Sequence, residues 1–283
     1  VMLNYQHSKT QDKLTQNDQA AGLRRIMSAP KPRVVSILST SPNHNHTRLM
    51  ANLATPIVDQ GCDVLIFLAS NQCNASVYEV EKLPTLLDVI NEKTLLQSVV
   101  KNAGNGFSVA KLMPSHQIES PLDLILGQQL NNIFCKLAQQ YEIVLVDAAI
   151  NSSDLLPLQA LNDGEIIIKL NRHTESIKDS YSLIKKIYNQ LGSRSFGIIV
   201  DNASDEQARA IFGNISDAAK RFLQIELEYF GAIPPDIHLS RAAKLGRTVM
   251  EAFPMANASS AFKLIAERLN GKHEPKAKLA SPI

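Results

Sequence analysis

Seven short segments of this chain are apolar mostly on consecutive rather than alternate positions: Arg33–Leu38, Val64–Ala69, Phe107–Leu112, Glu142–Val146, Glu165–Leu170, Phe196–Val200 and Ile225–Phe230. A strand with one wet face alternates apolar and polar residues, whereas a strand covered on both faces reads as a continuous apolar run. Between the runs lie stretches of helical periodicity, at about 47–60, 83–101, 121–140, 174–191, 204–223, 238–252 and 258–269. Strands alternating with helices imply right-handed crossovers. The expected fold is α/β: a doubly wound, mostly parallel sheet flanked by helices. In such a sheet the ligand crevice lies beyond the carboxyl ends of the strands.

Composition narrows the functional classes. The 283 residues, 45% hydrophobic, suffice for one large α/β core. A formal charge of +2 and a pI near 8.4 are too mild to argue for nucleic-acid binding. Cys62, Cys73 and Cys135 are odd in number and lack CxxC spacing, as expected for idle thiols in a reducing cytoplasm. No apolar run reaches the roughly 18 residues of a membrane span, and "VML" is followed by polar residues rather than by a secretory apolar stretch. The expected organisation is a flexible tail over 1–30 with a helix at 18–27, an α/β domain over 31–270 and a flexible basic tail over 271–283.

The loop between the first apolar run and the first helix, in "VVSILSTSPNHNHTRLMANLA" at 34–54, sits where a phosphate-binding loop belongs, yet it has neither glycine nor lysine. "NHNH" at 43–46 invites a metal or nuclease reading. His44 and His46 are two apart with no cysteine or carboxylate beside them, so neither a tetrahedral nor an octahedral set is complete. No glycine-flanked elbow surrounds Ser39 or Ser41, which argues against a nucleophile. No metal is expected.

Several stretches resemble the MinD/ParA-type P-loop ATPases, and within them the FlhG, FleN or YlxH regulators of flagellar number. They are "NDQAAGLRRIM" (17–27), "LPTLLDVI", "YEIVLVDAA", "TESIKDSYSLIKKI", "RFLQIELEYFGAIPPD" and "AFPMANASSAFKLIAERL", in the family's order from Asp18 to Leu269. The resemblance implies a Walker A loop of the form K-G-G-x-G-K-T, whose glycines admit backbone N–H groups to the phosphates. Counting back from Asn52-Leu53-Ala54, Thr47 takes the threonine position, His46 replaces the phosphate lysine and Ser41 the signature lysine. Pro42, Asn43 and Asn45 replace the glycines, and proline lacks the N–H donor. The acidic positions after the second strand are Leu68 and Ser70, and Asp147 alone keeps the Walker B place. The expectation is a vestigial nucleotide site of Ser41, His46, Thr47 and Asp147, with no catalytic residue and no cofactor. ATP with magnesium bound through a rearranged loop is the alternative.

The resemblance also implies partners. In the FlhG family the segment before the domain stimulates FlhF, a signal-recognition-particle-type GTPase. Its glutamine would be Gln19, supported by Asp18, Leu23 and Arg24. Asp18 can serve as an N-cap, and Leu23, Ile26 and Met27 recur at helical spacing. Phe262, Ile265 and Leu269 share a face near the C-terminus, either a membrane or partner face or simply a core face. Arg241, Lys244 and Arg247 recur every third residue as a basic stripe, read as a solvated face or as a surface for a partner or anionic lipid. The expected function is a degenerate, FlhG-like regulator of flagellar placement or number, acting by protein–protein contact with an FlhF-type GTPase. A flagellar transcription activator or basal-body protein is the alternative partner. Its expected place is the cytoplasm, polar or peripheral at the inner membrane face, with weak or no membrane contact and no nucleic acid.

Overall fold

The computed structural model describes residues 31–40, 45–70, 74–114 and 122–271, with the side chains of 45–47 excepted. The segment 18–27, with Asp18, Gln19, Leu23 and Arg24, therefore lies outside the described residues, as do Ser41 and the side chains of His46 and Thr47.

In chain order the described elements are β1 (Arg33–Ser39), α1 (Asn45–Asp59), β2 (Val64–Ala69), α2 (Leu86–Ile90), β3 (Val100–Asn102), β4 (Ser108–Lys111), α3 (Leu124–Ala138), β5 (Ile143–Ala148) and β6 (Glu165–Asn171). They continue with α4 (Thr174–Leu191), β7 (Phe196–Asp201), α5 (Asp205–Leu223), β8 (Leu227–Ile233), α6 (Ile237–Lys244), α7 (Val249–Ala252) and α8 (Asn257–Leu269). Among the described residues the strands form one eight-stranded sheet of order β3-β4-β2-β5-β1-β6-β7-β8. All neighbours pair parallel except β3 with β4. The doubly wound, mostly parallel sheet expected from the apolar runs is the one observed.

Strands buried on both faces require two apolar layers, and both are present. On one face Leu130 and Phe134 of α3, Ile184 and Ile187 of α4 and Ile215 of α5 pack on Leu65, Val144, Ile168 and Ile198. On the other, Leu49, Met50, Leu53 and Ile57 of α1 join Phe262, Ile265 and Leu269 of α8 against Val35, Ile66, Leu145 and Ile199. Of the two readings left open for Phe262, Ile265 and Leu269, the structure gives the core face and corrects the membrane or partner face. These side chains are at most 2% exposed, because α8 lies across α1 and β8 and closes the second layer. No described helix is long and apolar enough to cross a membrane.

Two helices are shorter than their periodicity suggests. The segment 83–101 holds only α2, the short turn Leu96–Val99 and strand β3. Thr85 and Asp88 form a capping box that starts α2, but Glu92 takes a left-handed φ of 56° and stops it, after which Val100–Asn102 pairs antiparallel with Ser108–Ala110. The segment 238–252 is two helices. Gly246, at φ 67°, receives α6 in a Schellman turn, with Arg247 N donating to Ala242 O (3.0 Å) and Gly246 N to Ala243 O (3.1 Å).

Strand β8 is an edge of the sheet. Phe230 is an extra residue between the pairs Ile198–Tyr229 and Ile199–Gly231. The Arg268 guanidinium of α8 donates to the carbonyls of Tyr229 (3.0 Å) and Phe230 (2.6 Å) at this bulge.

Candidate functional site: the crevice at the strand ends

The order of the sheet places the crevice. From β1 the chain moves outward to β2, returns to β5 beside β1, and then crosses to β6 on the other side. The carboxyl ends of β5, β1 and β6 therefore form the switch point at which α/β folds bind ligands. Helix α1 follows β1, as the helix after a phosphate loop should.

Asp147 comes near the end of β5, in register with Ile37 of β1 and Leu68 of β2, and is 1% exposed. By alternation along β5 it shares the face of Leu145, which α1 covers. It is the one member of the vestigial set whose side chain is described. Leu68 and Ser70, at the positions of the lost carboxylates, are each 1% exposed, and Leu68 packs in the apolar layer beneath α1. Thr40 closes β1 by donating its N–H to Lys169 O (3.2 Å) and its hydroxyl to Ser176 O (3.2 Å). No cluster of three metal-ligating side chains occurs among the described residues.

A cation missed in the sequence stands beside this loop. Lys169 of β6 pairs in register with Ser39, is 1% exposed, and its ammonium meets Asp201 of β7 at 3.2 Å. The signal was partial: a lysine inside "EIIIKLN" cannot be buried without a carboxylate, but the run does not name its partner. The lysine is thus already neutralised from within the sheet.

The stretch after β5, where a nucleotide switch would need glycine, is tied to itself. The Asn151 side-chain oxygen accepts from Ser153 N (2.9 Å) and Leu155 N (3.1 Å), and Asn151 N donates to Leu155 O (2.9 Å). Asp154, at a left-handed φ of 61°, accepts an ion pair from Lys186 of α4 (2.9 Å). Such an Asx-type loop is held by its own side chain. Between it and α3 opens a cavity of about 570 Å³, lined by Leu112, Met113, Leu122, Ile150, Leu156 and neighbours. Of its lining residues Leu124 and Leu155 are 78% and 44% exposed. Beside the β5 end of the crevice the chain thus offers apolar surface.

Arg241 and Lys244 fall in the last turn of α6, where cations offset the helix dipole, but Arg247 lies beyond it. The single three-residue stripe expected there is thereby corrected: the Schellman turn separates its third member. Cys62 and Cys135 are half-buried free thiols, and burial pushes the Cys135 thiol up. Cys73 lies outside the described residues.

No protein-family model matches the chain. It is 26% identical to the antiactivator FleN of Pseudomonas aeruginosa over 251 residues, 88% of this chain and 90% of the relative. It is 25% identical to an uncharacterised ATP-binding protein of Methanocaldococcus jannaschii over 250 residues, 86% and 90% of the two chains. Among solved structures it is similar to the MinC:MinD cell division complex of Aquifex aeolicus, with a TM-score of 0.66 and 22% identity over 87% of this chain and 98% of the other. In sequence and in fold, this chain resembles the MinD/ParA-type P-loop ATPases and, within them, the FlhG/FleN subfamily.

Proposed function

We propose that this chain is a regulator of flagellar placement or number that has exchanged nucleotide turnover for protein contact. The observation that carries the reading is the crevice. The lysine and glycine positions of the loop hold other residues, and the acidic positions hold Leu68 and Ser70. The loop after β5 is self-bonded, and an apolar cavity with exposed Leu124 and Leu155 opens beside it. Each electrostatic stabiliser lost from a phosphoryl-transfer site adds several kcal/mol of barrier, about 3 for one donor. Asp147 alone supplies too little to replace them.

The first partner is an FlhF-type GTPase met by residues 18–27, with Gln19 reaching the partner's nucleotide and Leu23 and Arg24 docking. An amide can orient water on a partner's phosphate without ATP of its own. A second reading, binding to a transcription activator, is favoured by the similarity to a protein named as an antiactivator.

Calorimetry with Mg-ATP tests the first claim: no saturable heat in the micromolar range is expected, and turnover abolished by Asp147→Ala would overturn it. Paired binding assays with purified FlhF-type and activator-type partners test the second. Leu124→Asp with Leu155→Asp should weaken the true partner's affinity by about tenfold or more while leaving the melting temperature unchanged. Equal affinity for both partners before and after the double change would remove the crevice from the interface.

A further inference from the structure

The basic stripe of the 238–250 segment leaves one arginine without a structural role. Arg241 and Lys244 answer the carbonyl end of α6, but Gly246 turns the chain and delivers Arg247 to the flank of α1. There a cleft of about 220 Å³ runs between α1, the Ala75–Tyr78 turn, the β3–β4 connection and the α6–α7 turn. Arg48 of α1 lines it too, and both arginines also line an adjoining cavity of about 50 Å³.

The carboxylates around these two guanidinium groups are already engaged. Glu79 is paired with Lys101 (3.3 Å), Asp201 with Lys169 (3.2 Å), and Glu251 closes the Thr248 capping box and accepts from Asn105 (3.2 Å). Among the described residues the guanidinium groups of Arg48 and Arg247 form neither a side-chain hydrogen bond nor an ion pair. Asn52, 7% exposed, lines both spaces, and its carbonyl oxygen accepts from Val249 N (2.8 Å). That bond fixes the amide's orientation and leaves its N–H groups as donors. Two cations that line one cleft without side-chain partners leave it with uncompensated positive charge that attracts an anion. A planar guanidinium fork matches phosphate oxygens in pairs.

We infer that Arg48, Arg247 and Asn52 form a binding site for the phosphate end of a small phosphorylated molecule. The site lies on the flank of α1. At about 220 Å³ it falls below the roughly 300 Å³ of a pocket that encloses a whole drug-sized ligand. It fits a phosphate or pyrophosphate group, with the rest of the molecule left outside. The inference does not depend on the proposed partner.

Calorimetric titration of the full chain with sodium pyrophosphate at low ionic strength is the test. Saturable binding is expected, weakened about tenfold or more by either Arg48→Gln or Arg247→Gln, and unaffected by Arg241→Gln. Arg247 lies on an exposed turn, so its variant keeps the fold, which circular dichroism and the melting temperature would verify. Absence of saturable heat in the millimolar range would overturn the site. So would an equal loss from Arg241→Gln, or an equal response to sodium chloride at matched ionic strength. A phosphoserine peptide that binds through the same arginines more tightly than pyrophosphate would transfer the site from small molecules to a modified protein.

Discussion

Lys169 and Asp201 are 32 positions apart in the chain but adjacent across β6 and β7, one carbon skeleton fully buried and the other near the surface. Breaking such a pair from one side leaves a charge in an apolar layer, whereas replacing both sides removes the desolvation with the attraction. Asp201→Ala should therefore cost about 3 kcal/mol of unfolding free energy. Lys169→Met combined with Asp201→Asn should lie within about 1 kcal/mol of the parent. Urea unfolding of the three variants measures both. A single variant as stable as the parent would show that water reaches the lysine. The pair also explains why the crevice was only partly legible beforehand. Asp147 announces itself by its place at the end of an apolar run after a family-like loop. Lys169 sits in the middle of a run, and no local pattern says which carboxylate it will meet.

Among the elements, α6 and α8 are joined by one carboxyl group. Asp236 caps α6 by accepting from His238 N (2.9 Å) and also takes Ala258 N (3.0 Å) in the first turn of α8. Burial pushes the Asp236 carboxyl up, but the bonds from Ala258, His238 N and the His238 ring outweigh it and hold it below the usual carboxylate range. A depressed folded pKa means that the unfolded chain binds the proton first. The contribution is therefore complete above the ordinary carboxylate value and is lost as pH falls through the folded one. Asp236→Asn should lower stability by about 1 kcal/mol near neutral pH, with the gap from the parent closing below about pH 4. Thermal melts across that range would show it, and a gap independent of pH would assign the effect to packing. Elements were legible where apolar periodicity and burial coincide, as in α4 at 174–191. They were not where a local cap interrupts a periodic stretch. Leu86, Leu87, Val89 and Ile90 continue into Leu95, Leu96 and Val99 at helical spacing, yet the left-handed Glu92 breaks the chain between them. Strand β3 owes its existence to pairing with β4 and has no signature of its own in three residues, Val-Lys-Asn.

At the scale of the whole molecule, the missing signature lysine predicts an assembly that does not respond to nucleotide. In relatives of the MinD type that lysine reaches across a dimer to the other subunit's phosphates, and Ser41 has neither the length nor the charge. Sedimentation velocity should give the same species with and without Mg-ATP, and a monomer shifting to a dimer on adding ATP would refute the proposal. The closing of the sheet has a different reach. On β8 the carbonyls of Tyr229 and Phe230 are already engaged by Arg268, at the point where the bulge bends the strand. An incoming strand would meet at these two carbonyls a guanidinium held by two bonds. At this stretch of its last strand the sheet thus resists being extended by a strand from another molecule.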